Sequence, residues 1–207
     1  MTGGHWDHIY RTKTAEAMSW YAPHLDVSLA MIDRLALAPG AAILDAGGGA
    51  STLVDDLLAR GFTNLTVLDL SQAALETSRA RLGAAAERVL WVAGDITEIE
   101  LEPEHYELWH DRAVFHFLTD PATRAAYARQ MMRALRPGGH AIVSTFGPEG
   151  PTRCSGLEVV RYDVPALGAE LSATAASGLR LLQSIITQHA TPRGGAEQFV
   201  TCLFRRD

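Results

Sequence analysis

Hydrophobic positions change their period several times along this chain, and the changes mark out its elements. Leu25, Leu29, Ile32 and Leu35 recur at helical spacing between Pro23 and Pro39-Gly40, so the first forty residues read as a helical cap. Ala41-Ala42-Ile43-Leu44-Asp45 is then a continuous apolar run closed by glycines, as a buried strand would be. Leu53, Leu57 and Leu58 predict a helix that stops near Gly61. A strand follows over Leu65–Asp69, a helix over Gln72–Leu82, a third strand over Val89–Val92 and a fourth over Tyr106–His110. Asp120-Pro121 supplies a cap and a first-turn proline for a helix faced by Tyr127, Met131 and Leu135, which Pro137-Gly138-Gly139 should end. His140–Phe146 reads as the fifth strand.

Strand and helix in alternation imply a mostly parallel sheet with helices on both faces. The tail breaks the pattern. Leu179–His189 and Gln198–Arg205 are β-rich runs joined by Thr191-Pro192-Arg193-Gly194-Gly195, a turn composition that predicts an antiparallel hairpin at the sheet edge. The expected fold is therefore α/β, a Rossmann-like seven-stranded sheet, mostly parallel with a C-terminal antiparallel hairpin. With no repeat, linker or low-complexity tract, residues 1–207 read as one domain: a cap over 1–40 and a core over 41–207.

Composition narrows the function classes. The 207 residues are 47% hydrophobic and 20% charged with a formal net charge of −6, which disfavours a nucleic-acid partner that would need a basic face. The absence of a run of about 18 apolar residues argues against a membrane span. The polar, aromatic stretch Met1–Tyr10 lacks the apolar core of a signal peptide. Cys154 and Cys202 form no CxxC pair, and reduced thiols in a cytoplasmic protein are expected. Oligomeric state is not legible.

Chemistry concentrates at the strand ends. Asp45-Ala46-Gly47-Gly48-Gly49 joins the first strand to the first helix, where glycines let the backbone approach a ligand closely beside a helix N-terminus. The third glycine of the dinucleotide fingerprint is missing and no Tyr-x-x-x-Lys follows, which argues against a nicotinamide dehydrogenase. Asp69 closes the second strand, where a carboxylate can accept from both ribose hydroxyls, and Ser71 is the better helix cap. Asp95-Ile96 follows the third strand and offers an acceptor and an apolar wall to an adenine.

Leu44-Asp45-Ala46-Gly47-Gly48-Gly49, Asp69-Leu70-Ser71, Gly94-Asp95-Ile96 and Leu135-Arg136-Pro137-Gly138-Gly139-His140 together resemble the class I S-adenosylmethionine-dependent methyltransferases. The resemblance runs from about residue 41 to 146 and extends to the hairpin. It implies S-adenosylmethionine as cofactor, with its methionyl part over Gly47, Gly48 and Gly49, ribose on Asp69 beside Leu70, and adenine at Asp95 and Ile96. Asp45, at the end of the first strand, and Asp111, just after the fourth, are further candidate cofactor contacts. The family pattern usually carries a residue other than glycine in the middle of the first loop, so Gly48 implies a looser loop here.

The segment containing His5-Trp6-Asp7-His8-Ile9-Tyr10 and Ser19-Trp20-Tyr21 is similar to that of lysine methyltransferases related to the elongation-factor-1A enzymes. In those enzymes it folds over the cofactor, and a sulfonium favours aromatic faces. Trp6, Tyr10 and Trp20 are thus candidate cofactor contacts, the alternative being that they pack a helix on the sheet. The segment shows no apolar periodicity of its own and is expected to order over the cofactor.

Asp111-Arg112-Ala113-Val114-Phe115-His116-Phe117 is assigned to the loop after the fourth strand, at the ligand-binding edge of the sheet. His110 and His116 are the candidate catalytic bases, and Asp111 belongs to the same polar run. No third ligand stands at a familiar spacing, so no metal is expected. Phe146–Leu157, rich in glycine and proline, is long enough for a lid, and Cys154 within it reads as an inert thiol. In-line displacement at an activated methyl asks mainly for orientation, which explains the absence of a strong catalytic triad. Three acceptor readings follow: a small molecule, which the lack of a large docking insertion favours; a protein lysine; and a noncatalytic cofactor-binding protein, against which the polar His110-Asp111-Arg112 run speaks.

Overall fold

The computed structural model describes residues 3–174 and 178–207; Met1 and Thr2, part of the cap assigned from sequence, lie outside them. Two helices come first, α1 over Gly3–Thr12 and α2 over Asp26–Arg34. The alternating core follows as β1 (Ala42–Ala46), α3 (Leu53–Ala59), β2 (Asn64–Asp69), α4 (Gln72–Leu82), β3 (Val89–Ala93), β4 (Tyr106–Arg112), α5 (Pro121–Ala134) and β5 (Leu135–Phe146). A small hairpin, β6 (Arg153–Cys154) and β7 (Leu157–Glu158), precedes α6 (Val164–Thr174), β8 (Leu179–Ala190) and β9 (Ala196–Arg206).

Seven strands join in the order β3-β2-β1-β4-β5-β9-β8. The first five run parallel, while β9 pairs antiparallel with β5 and β8 with β9. The seven-stranded, mostly parallel sheet with its antiparallel edge hairpin is the fold the periodicity implies. Strand alternation splits the core in two. Ile43, Leu108 and Ile142 pack with Leu29, Ile32, Leu53 and Leu57 on the α2–α3 side. Leu44, Trp109 and Val143 pack with Tyr127, Met131, Leu167 and Leu171 on the α5–α6 side.

Two of the boundaries that differ from the sequence expectation bear on the site. The fourth strand continues two residues past His110, so Asp111 and Arg112 are strand residues and not loop residues. Their ladder partners on β5 are Val143 and Ser144, and this pairing extends the strand. Helix α5 stops at Ala134, before Pro137, because Leu135 leaves the helix to pair with Tyr106. Capping falls where composition placed it: Asp120 accepts from the Ala122 amide and Ser71 from the Ala74 amide.

The N-terminal segment is helical and anchored. The Asp7 carboxylate reaches the start of α4, accepting from the Ser71 hydroxyl at 2.6 Å and the Ala73 amide at 3.1 Å. Trp6 packs edge-on against Phe117 and Trp20, with ring centroids 5.1 and 6.1 Å away.

Candidate active site

The carboxyl ends of β1, β2, β3 and β4 open into one cavity, and the cap supplies its far wall. Asp45, Gly47, Gly48, Asp69 and Leu70 line it from the first two strand ends, and Asp95 and Ile96 from the turn after β3. Trp6, Tyr10 and Trp20 line it from the cap, together with Met18 and Tyr21. His110, Arg112, Phe117, Phe146 and Cys154 complete the side near β4 and β5. Ten of the twelve residues expected to hold a cofactor are therefore brought to one place, Gly49 and Asp111 being the two that are not among the lining.

The glycine loop is tightly built. The Gly47 and Gly48 amides both donate to the Leu68 carbonyl, at 2.6 and 3.1 Å. Gly47 has φ +71, and a Cβ there would lie 1.9 Å from a methyl of Val114. A Cβ on Gly48 would fall 2.4 Å from Asp45 Oδ2 and 2.8 Å from a Val67 methyl. The looser loop implied by a middle glycine is thus not what is found: a buried carboxylate occupies the space that a side chain would need. Gly49 serves the same end from behind, since Asp69 Oδ2 is 2.6 Å from where its Cβ would stand.

Asp45 is 4% exposed and sits beside His110. Its Oδ1 lies 2.7 Å from His110 Nδ1, whose Nε2 lies 2.8 Å from the Ser28 hydroxyl. Its Oδ2 is buried with no hydrogen-bond partner among the described residues. Asp69 Oδ1 accepts from the Ser71 amide at 2.7 Å. Burial, reinforced by the charges of Asp45 and Asp7 and opposed by that bond, pushes the Asp69 carboxyl up to about 7. Asp95 Oδ1 accepts from the amide and hydroxyl of Thr97, which fixes the turn after β3.

Neither candidate base is free to act on a substrate. His110 lines the cavity, yet both its ring nitrogens are engaged by Asp45 and Ser28. His116 lies outside the lining, fully buried against Phe146 and Phe117, with Nδ1 accepting from the Phe146 amide at 3.1 Å. Burial, with the Arg112 charge beside it, pulls its imidazole down to about 3, so it is a neutral packing group. Asp111 also has a different task. Its carboxylate accepts from the Val114 and Phe115 amides and from the Tyr127 hydroxyl at 2.6 Å, fixing the turn after β4 against α5. Alternation explains the placement: successive strand residues face opposite ways, so His110 and Arg112 point to the cavity side and Asp111 to α5.

Cys154 lies in the wall as a thiol that burial and the nearby Glu197 charge push up to about 12. Arg112, which the sequence left without a role of its own, reaches over the Phe199 ring at 4.7 Å from its centroid and donates to the Trp20 carbonyl at 2.8 Å. The signal that could have found it is a basic residue two places beyond His110 at the ligand edge of a parallel strand.

A Rossmann-like sheet closed by an antiparallel hairpin, with a glycine loop and acidic strand ends facing one cavity, is the arrangement of the class I S-adenosylmethionine-dependent methyltransferases, and the chain is similar to them. Residues 43–139 match the methyltransferase domain family. The chain is 29% identical over 161 residues to the ubiquinone/menaquinone biosynthesis C-methyltransferase UbiE of Roseobacter denitrificans, covering 75% of this chain and 63% of that protein. It is 23% identical over 146 residues to the eEF1A lysine and N-terminal methyltransferase homolog of Drosophila melanogaster, covering 67% of this chain and 21% of that protein. Its fold is similar to that of Burkholderia thailandensis 1,6-didemethyltoxoflavin-N1-methyltransferase, solved with 1,6-didemethyltoxoflavin and S-adenosylhomocysteine. That match has a TM-score of 0.69 at 23% identity, over 89% of this chain and 78% of that one. The chain thus spans less than two thirds of the curated relatives' own length.

Proposed function

We propose that this single domain binds S-adenosylmethionine in the cavity and transfers its methyl group to a small-molecule nucleophile. The residues suit that cofactor. The orphaned, buried Oδ2 of Asp45 asks for a donor, which the cofactor's ammonium group provides. Asp69 takes the ribose hydroxyls, with Leu70 beside it, and Asp95 and Ile96 take the adenine. Gly47, Gly48 and Gly49 let the chain pass closely under the methionyl part.

When bound, S-adenosylmethionine supplies a methyl group already activated on a sulfonium, open to in-line displacement. What remains for the protein is to orient the acceptor and exclude water, and orientation alone is worth about 7–11 kcal/mol in favourable cases. Trp6, Tyr10 and Trp20 cover the reacting end and offer aromatic faces to the positive charge. His110 acts as a positioning residue that holds Asp45.

One observation carries the small-molecule reading: Trp6, packed on Phe117 and Trp20, roofs the cavity at the β4–β5 end, where an acceptor would enter. A protein lysine is the second reading, favoured by the match to the fly homolog. Against it stands Arg112 in the wall, which would repel an ammonium. Unpaired Cys154 and Cys202 are in keeping with a cytoplasmic setting.

Calorimetry with S-adenosylhomocysteine and with NAD tests the cofactor, and labelled methyl transfer to small phenols, thiols and amines beside lysine peptides tests the acceptor. Micromolar binding of the first, roughly −8 kcal/mol, and labelling of a small molecule are expected. Preference for NAD, or labelling confined to the peptides, would overturn the reading.

A further inference from the structure

Charge around the cavity is sorted by half. Asp45, Asp69 and Asp95 stand at or just beyond the ends of β1, β2 and β3, while Arg112, at the end of β4, is the sole Lys or Arg among the lining residues. A guanidinium has five N–H donors. Among the described residues Arg112 uses one of them, toward the Trp20 carbonyl.

Its surroundings do not neutralise it. Glu197 on β9 is near enough to favour the cation, but no ion pair closes between them among the described residues, and Glu197 Oε2 is itself buried without a partner. His116 and His189 lie on the other sides; burial first and the Arg112 charge second hold both toward the neutral form. Burial pulls Arg112 itself down to about 10, which leaves it charged at neutral pH. A partly desolvated cation with unspent donors therefore lines the acceptor half.

Among the described residues, none of the histidines or the cysteine near that half presents a free base to it. Both nitrogens of His110 are bound, His116 is outside the lining, and Cys154 is held as a thiol. Its other walls are aromatic: Trp6, Trp20, Phe117 and Phe146.

We propose that Arg112 binds the methyl acceptor as an anion, and that the acceptor is a small aromatic acid ionised near neutral pH, a phenolate being the simplest case. The inference rests on the methyltransferase reading above and adds to it the charge state of the substrate. Charge-assisted bonds from the guanidinium hold the anion against the aromatic walls. No proton then has to be removed. A lone pair of the anion forms the bond to the methyl carbon, the C–S electron pair leaves with the sulfur, and the two opposite charges cancel.

The test uses the full chain saturated with S-adenosylhomocysteine, titrated calorimetrically with 4-nitrophenol and with nitrobenzene, its neutral counterpart. Binding of 4-nitrophenol should strengthen about tenfold from about pH 6 to about pH 8 as the probe ionises, with nitrobenzene at least about tenfold weaker at the higher pH. Asp69 also titrates in this window, and the nitrobenzene series reports its effect alone. Arg112→Gln should erase the preference for the anion and Arg112→Lys should restore part of it, each leaving S-adenosylhomocysteine affinity within about twofold. Equal binding of the two probes, or no binding of 4-nitrophenol, overturns the proposal. So does a tenfold loss of S-adenosylhomocysteine affinity in Arg112→Gln, which would give the guanidinium to the cofactor's carboxylate. If wild-type protein binds no S-adenosylhomocysteine at all, the methyltransferase reading itself falls, and that is seen before any probe is added. Should Arg112→Gln not fold, the wild-type probe comparison and Arg112→Lys still decide the matter.

Discussion

His110 and Asp45 are ladder partners on neighbouring strands, and their side chains meet across the ladder with Nδ1 2.7 Å from Oδ1. The Ser28 hydroxyl, 2.8 Å from Nε2, extends the chain to α2. A ring protonated on Nδ1 satisfies both contacts, donating to the carboxylate and accepting from the hydroxyl. All three residues are at most 4% exposed, so a broken link leaves its partners poorly solvated.

His110→Leu should therefore damage the fold as well as the activity. It leaves the Asp45 carboxylate and the Ser28 hydroxyl unpaired in the interior, at a cost of about 3 kcal/mol. Urea unfolding without cofactor measures this, and Asp45→Asn in the same background should recover part of the loss. A variant of wild-type stability that is inactive yet binds cofactor normally would restore His110 as a base.

Gly48→Ala should be more disruptive than a surface glycine change. The new methyl would meet Asp45 Oδ2 and Val67 Cγ1 at 2.4 and 2.8 Å, so the carboxylate or the loop has to move. Overpacking of this kind costs about 1–3 kcal/mol, and the displaced Asp45 should also lower S-adenosylhomocysteine affinity. Thermal unfolding and calorimetry read the two effects. Unchanged values in both would mean the loop is as loose as a three-glycine run suggests.

Asp69 should make cofactor binding pH-dependent. Its carboxyl, with a pKa pushed up to about 7 chiefly by burial, is protonated in most of the population near pH 6. In the unfolded chain it ionises near its ordinary 3.8. Between those two values the folded state holds more protons, so this group makes stability fall as pH rises. Ribose hydroxyls donate to the ionised form and favour it. S-adenosylhomocysteine affinity should accordingly rise from about pH 6 to about pH 8, by less than tenfold per unit, and Asp69→Asn should abolish the rise while weakening binding by about 1–3 kcal/mol. A flat profile in the wild type would mean that ribose is not on Asp69.

Sheet, hairpin and glycine loop are readable from periodicity and turn chemistry because each is a local property of the chain. Asp69 and Asp95 are readable because parallel strands deliver their last residues to one edge. What could not be read depends on contacts distant in sequence. Leu135 leaves the helical pattern to pair with Tyr106, and Arg112 stays in the strand because Ser144 pairs with it. Two further strand residues then decide which side chains face the cavity: alternation gives His110 and Arg112 to it and turns Asp111 to Tyr127. His116 looks like a base in sequence, but Phe146 and Phe117 close around it. The Asp7–Ser71 contact spans 64 positions and leaves no local mark.

That contact carries the last prediction. Ser71 donates its hydroxyl to Asp7 and its amide to Asp69, so one residue joins the cap helix to the strand end proposed for ribose. Asp7→Ala removes this tie and the acceptor for the Ala73 amide at the start of α4. The sheet begins at Ala42, its two large core clusters contain no α1 residue, and α1 reaches the third, smaller one through Trp6, which Asp7→Ala leaves in place, so global stability should fall by no more than about 2 kcal/mol. Residues 3–12 should exchange their amide protons faster, and S-adenosylhomocysteine should dissociate several-fold faster as the roof opens. Bonds from Ser71 first and Ala73 second hold the Asp7 carboxyl below its ordinary 3.8. The tie is therefore complete above the carboxylate range and lost only as pH falls through that lowered value. From about pH 5 to about pH 8 its contribution is constant, so a pH effect on cofactor release in that window belongs to Asp69 and should survive in Asp7→Ala. Unchanged exchange and release rates in Asp7→Ala would show that the aromatic packing of Trp6 on Phe117 and Trp20 holds the helix without this tie.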